Sequence, residues 1–166
     1  MEKGTPRDEV MLQSFGLYRP RYSFMNSDEY KGKLTQIRDQ QKTMIKLKTA
    51  VSGATNWTVN GNVSQGKKMV ADTQKLLLRA FNAECDDVIE HVKYSNVESS
   101  EKRITASKDA ISKLGSIMSI SISQQYYQLK IEELYLAFEY QQKKQQEKDE
   151  QKEARARLRE EAKLAK

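Results

Sequence analysis

Glu84, Cys85, Asp86, Asp87 and His91 gather carboxylates, the only cysteine and the only histidine of a 166-residue chain into one stretch, LLLRAFNAECDDVIEH. On a helix, Glu84, Asp87 and His91 fall at i, i+3 and i+7 and share a side, with Asp87 and His91 one turn apart. Carboxylate and imidazole in that arrangement can ligate zinc or manganese, or pass a proton. Cys85 lies about 100° round the axis from Glu84, nearer Leu77, Phe81 and Val88, where a small buried thiol is expected rather than a nucleophile. One histidine and one cysteine cannot complete a four-ligand structural zinc site without carboxylates or a second chain. The expected metal content is therefore none, with Glu84, Asp87 and His91 the one set to check. Arg79 and Asn82, on the more polar side, are expected to hydrogen-bond across to Asp86 or to loop carbonyls. There is no nucleophile elbow and no Ser, His and Asp arrangement beyond what any chain contains, so neither a catalytic residue nor a cofactor is expected.

A second stretch, GNVSQGKK (61–68), nearly spells a phosphate-binding loop. The position that needs Ser or Thr for magnesium is Lys68, and only the short WTV precedes it, where that loop requires a buried strand. Nucleotide hydrolysis is set aside. Free N–H groups at a helix start beside Lys67 and Lys68 remain able to hold an anion or one backbone phosphate. Lys42 and Lys46, with Arg155, Arg157 and Arg159, are the other candidates for nucleic-acid or anion contact. Each also reads as a charge that keeps a surface helix in water.

These residues need helices to position them. Gly and Pro are scarce, and the polar residues are Gln, Lys and Glu, which favour helix. Residues 1–27 hold both prolines and the aromatic run FGLYRPRYSF, which reads as an irregular arm over a helical body, with Tyr18 and Tyr22 as its anchors. After Asn26, NSDE is a helix start, followed by Tyr30, Leu34, Ile37, Met44, Ile45 and Val51 near helical spacing, with Gln41 interrupting. SGATNWTVNGN (52–62) breaks the pattern as a short extended piece ending in an NG turn. There Trp57 is expected to bury its ring and find a partner for its indole N–H. A second helix is expected from about Ser64 to Lys93. A third follows from about Glu101 to Met118, its apolar side being Ile104, Ile111, Leu114, Ile117 and Met118. Residues 119–123 alternate like a strand but fit better as a bend. From Gln124 a long helix carries Tyr127, Ile131, Leu134 and Phe138 in a broad apolar coat. After Tyr140 the coat gives way to a charged stretch with pairs such as Glu153 and Arg157 one turn apart. The organisation is thus a mainly α chain. An arm (1–27) precedes a packed domain of about four helices (28–140) with a short Trp-containing extended segment, and a projecting charged helical extension follows (141–166).

The formal net charge is +6, concentrated at the two ends and mixed with acids, a balance that suits nucleic acid or anionic lipid only weakly. A single cysteine forms no internal disulfide, so a reducing, cytoplasmic setting is expected. No apolar run is long enough to span a bilayer, and no direct membrane insertion by this chain is expected.

Five stretches, taken in order, carry a resemblance: DEYKGKLTQIRDQQKTMIK (28–46), NWTVNGNVSQGKKM (56–69), LLLRAFNAECDDVI (76–89), RITASKDAISKLG (103–115) and YYQLKIEELYLAFEYQQKKQQEKDEQKEARARLREE (126–161). Together they resemble the DUF4041 family of bacterial and phage proteins, with Ala83 where the related form has glycine. The resemblance implies a region that precedes a GIY-YIG nuclease domain of the T5orf172 type. It also implies a role in phage defence through contact with a phage or host envelope protein, and membrane association through regions outside this chain. It implies no catalytic residue here. The leading expectation is a non-catalytic protein-interaction module that forms homo-oligomers, with Trp57, Arg79, Phe81, Asn82, Cys85, Tyr127 and Phe138 among its anchors. The alternative is a DNA-binding module that positions a nuclease.

Overall fold

A computed structural model describes residues 19–165, and within them the chain is mainly helical. Its elements are α1 (Ser27–Lys46), β1 (Val51–Ser52), α2 (Val63–Glu90), α3 (Val97–Leu114), a single 3₁₀ turn (Ser116–Met118), β2 (Ser121–Ile122) and α4 (Gln124–Leu164). The aromatic anchor Tyr18 and most of the arm lie outside the described residues.

Local chemistry sets the helix starts. The Asn26 side chain accepts the Glu29 N–H at 2.9 Å, Asn62 accepts that of Gln65 at 2.9 Å, and Ser123 accepts that of Tyr126 at 3.1 Å. Helix α2 therefore begins one residue before the expected Ser64, on an Asn cap. Asn60 and Gly61 both have positive φ, and Val59 and Asn62 exchange backbone hydrogen bonds, which makes VNGN a two-residue reversal of the hairpin type.

Two boundaries differ from the periodic pattern. Val51 does not extend α1: the helix stops at Lys46, Lys48 takes positive φ, and Val51 enters β1. β1 pairs antiparallel with β2, Val51 opposite Ile122, so the alternating 119–123 segment does form a short strand. The third helix ends at Leu114, and Leu114 and Ile117 are exposed rather than packed. Gly115 sits so close to Ile120 that an added Cβ would lie 2.8 Å from it, and the chain turns there through the 3₁₀ segment.

Packing is organised around α4. α1 lies against it antiparallel, Ser27 beside Glu147 and Gln41 beside Leu129, while α2 runs parallel to it, Asn82 beside Tyr126. α3 covers the remaining side through Tyr127 and Tyr135, whose hydroxyls meet Thr105 and Glu101 at 2.6 Å. Phe81, Cys85, Ile104, Leu134, Leu136 and Phe138 fill the centre. Beyond Glu147, α4 is exposed all round and projects for about 25 Å at 1.5 Å per residue.

The second glycine of GNVSQGKK is explained by packing. A Cβ on Gly66 would come within 1.8 Å of the Trp57 carbonyl oxygen, so the first turn of α2 rests directly on the Trp57 backbone. Gly32, inside α1, has open space around it. Gly66→Ala should destabilise the fold by at least about 1–3 kcal/mol, whereas Gly32→Ala should raise stability by about 0.5–1 kcal/mol. Urea unfolding of the two variants measures both, and equal effects would refute the packing explanation of Gly66.

Candidate functional site

The opening cluster lies where the helical reading puts it. Glu84, Asp87 and His91 share an exposed face at the end of α2, and Arg103 from α3 reaches across, its Nη2 2.7 Å from Glu84 Oε1 and 3.4 Å from Asp87 Oδ2. The Glu84 hydrogen bond, first, and its charge hold the Arg103 guanidinium above its usual range. His91 caps the C-terminus of α2, with Nδ1 2.8 Å from the Asp87 carbonyl oxygen and 3.4 Å from its carboxylate. Both carboxylates therefore face a guanidinium that joins α2 to α3. No group of three or more His, Cys, Asp or Glu side chains converges as a metal site among the described residues.

Cys85 is fully buried, and burial pushes its thiol up to about 12. Phe81 and Phe138 are equally interior, Tyr127 is half-buried under Lys108, and Tyr22 packs on Phe24. Asn82 bonds the Tyr126 hydroxyl at 2.6 Å instead of Asp86. Arg79 is exposed, and no hydrogen bond or ion pair holds it among the described residues. Trp57 packs against the core as expected, but its buried indole N–H has no partner among the described residues.

The basic candidates do not converge. Lys42 and Lys46 are exposed on α1, and Lys67 and Lys68 on the first turns of α2, Lys68 bonded to Asp72 at 3.1 Å. Arg155, Arg157 and Arg159 are on the projecting part of α4, with Arg157 3.9 Å from Glu153.

The most concentrated polar chemistry lies elsewhere, between α1 and α4. Lys130 and Glu133 are both buried and 3.5 Å apart. Gln41 bridges them, accepting from Lys130 Nζ at 3.0 Å and donating to Glu133 Oε1 at 2.9 Å and to the Leu129 carbonyl at 3.3 Å. Arg38 closes the set from the solvent side, its Nε 3.1 Å from Glu133 Oε2. This cluster floors a groove whose walls are α1 and α2. A cavity of about 240 Å³ includes Lys42, Asn82 and Asp86 in its lining, and a neighbouring one of about 580 Å³ includes Lys31, Ile89 and Glu90. Periodicity alone passed over Lys130 and Glu133, because charged residues inside an apolar coat look like its solvent edge. The available signal was Gln41, a polar break in an otherwise apolar stripe.

A second buried carboxylate anchors the chain entering α1. Glu139 accepts the backbone N–H groups of Arg21 and Tyr22 at 2.8 and 3.2 Å and the Tyr30 hydroxyl at 3.1 Å. The Arg21 guanidinium stacks 3.5 Å from the Tyr135 ring centre. Burial, then the Glu139 charge, pushes the Tyr30 hydroxyl up to about 12.

Two outcomes follow from these groups. Glu133→Gln strands a buried ammonium and should cost about 3–5 kcal/mol, while adding Lys130→Met removes both charges and should recover most of that loss. A denaturant-based mutant cycle reads this, and additive losses would refute the coupling. For Cys85 and Tyr30 the folded values lie above the unfolded ones, so folding retains their protons. Their contribution is complete below about pH 9 and is lost as pH rises toward 12. Thermal melts from pH 8 to 11 should show a falling midpoint, and a flat profile would contradict the burial of these groups.

No curated protein and no solved structure matches this chain. The SNIPE associated domain family, which is linked to nuclease-associated proteins, matches residues 27–145, from the start of α1 to the point where α4 leaves the body. The chain belongs to the SNIPE associated domain family.

Proposed function

We propose that this chain is a non-catalytic protein-interaction and self-association module, the recognition or regulatory region of a phage-related or phage-defence nuclease, as its DUF4041-like stretches imply. The observation that carries the reading is how its reactive side chains are used. Cys85 is sealed in the core, Glu84 and Asp87 face Arg103, and Lys130 and Glu133 face each other and Gln41. Groups committed to joining helices are not poised for bond breaking. What is left open is shape: a groove between two helices and a charged helix extending from the body. Partners that suit it are a second copy of the chain and a phage or host envelope protein. No described helix is long and apolar enough to cross a membrane, so contact with a membrane would be made through such a partner or through other regions.

DNA binding is the competing reading, and the scatter of Lys42, Lys46, Lys67, Lys68 and the α4 arginines over three elements weighs against it. Light scattering should give a mass of at least twice 19.2 kDa. Anisotropy with a labelled duplex should show at most non-specific affinity, about 10⁻⁴ M or weaker at physiological salt. Tight, salt-steep binding that Lys67→Ala and Lys68→Ala together weaken, by a monomeric chain, would replace this reading with the nucleic-acid one.

A further inference from the structure

The groove and the projecting helix fit each other. Along α4 the groove floor is the stripe Tyr126, Lys130, Glu133, Ala137 and Tyr140, which alternates steps of four and three. The same alternation continues without a break through Lys144 and Glu147 to Gln151, Ala154, Leu158, Glu161 and Ala165 on the exposed part. Positions at that spacing share one side of the helix, and on the exposed part that side carries Ala154, Leu158 and Ala165 beside Gln151 and Glu161. Each half is about 21 Å long at 1.5 Å per residue, so the exposed half is as long as the floor it would cover.

We infer that two copies of this chain pair through antiparallel α4 helices, the projecting end of each lying in the α1–α2 groove of the other. The two-fold axis passes between Gln145 and Gln146. That register sets Ala137 against Ala154, Glu133 against Leu158, Lys130 against Glu161, and Lys144 against Glu147, each with its counterpart in the second copy. One layer joins two small residues, Leu158 covers the buried ionic cluster, Glu161 lies over its Lys130 end, and Lys144 meets a Glu147 that also holds Ser27. Leu158 is 65% exposed in the single chain, a large apolar side chain without cover.

The walls supply an independent check. α1 lines the groove with Lys31, Arg38 and Lys42, and α2 with Asp86 and Glu90. Neither Asp86 nor Glu90 has an ion-pair partner among the described residues. Seen from the N-terminus of α4, residues advance clockwise at about 100° each. On that scale Leu129 and Gln125, beside α1, lie anticlockwise of the floor, and the side toward α2 lies clockwise. An antiparallel occupant is viewed from its C-terminus, so the residues clockwise of its own stripe turn toward α2. Those residues are Lys148, Lys152, Arg155, Arg159 and Ala162, four of the five basic, and the basic ones meet the Asp86 and Glu90 wall. On the other edge Glu150 turns toward Lys31. Arg157, seven residues on from Glu150 and at the same angle to the stripe, turns toward Arg38 and is paired within its own helix with Glu153, 3.9 Å away, so the discrimination is carried by the basic edge. A parallel occupant would reverse the edges and oppose like charges, so the charge pattern selects the antiparallel direction.

This arrangement rests on the self-association part of the proposed function and gives it a register. The test uses the whole chain with Tyr140→Cys and Gln151→Cys made separately, positions that face each other in the same register and are open to reagent, while Cys85 is too buried to compete. A short bis-maleimide should bridge an equimolar mixture of the two variants into a species of twice the 19.2 kDa mass and leave each variant alone unbridged. Asp86→Lys with Glu90→Lys should weaken dimerisation at least tenfold in sedimentation equilibrium, and adding Arg155→Glu with Arg159→Glu should restore it. A dimer that bridges in neither mixture nor single variant, or through like positions, overturns the register and leaves self-association standing. A chain that stays monomeric at about 100 µM overturns both.

Discussion

The structure depends on burying the middle of α4 on every side while that segment carries Lys130, Glu133 and Glu139. A charge taken out of water costs several kcal/mol unless other groups replace its hydration. Gln41 and Arg38 do so for Lys130 and Glu133, and the Arg21 and Tyr22 backbone with the Tyr30 hydroxyl does so for Glu139. Both sets of partners come from α1 or the chain leading into it. The docking of α1 is thereby fixed in register and direction, which apolar packing of Leu34 and Ile37 alone would leave free to slide.

The same economy extends to the other helices. Polar residues on α2, α3 and α4 are spent on joining helices: Arg103 to Glu84, Tyr126 to Asn82, Tyr127 to Thr105, Tyr135 to Glu101. α1 and α2 both pack on α4 rather than on each other, and this opens the groove between them. The body thus acquires one elongated concave surface whose walls differ in charge, beside a helix that leaves it at the Lys31 and Glu90 end.

Much of the architecture was legible in the residues. Asn26 with Glu29, the NG turn, the helix that carries Phe81, Cys85 and Val88, and the loss of apolar residues after Tyr140 are local signals, and local hydrogen bonding or burial reproduces them. Val51, Leu114 and Ile117 misled, because helical spacing continues across a break that only a strand pairing and a tight glycine contact reveal. The indole N–H of Trp57 was expected to find a partner, yet the ring packs with that group enclosed.

By itself, the sequence determined the helices, their caps, the identity of the core stripes and the charged character of the end of α4, since these follow from periodicity and from side chains bonding to their own backbone neighbours. Only the tertiary structure decided that Gly66 serves the Trp57 carbonyl, that Glu84 and Asp87 meet Arg103, and that Lys130 and Glu133 lie inside. Those outcomes depend on residues far apart in the chain. A charged side chain on a helix carries no local mark of whether another element will arrive to replace its water.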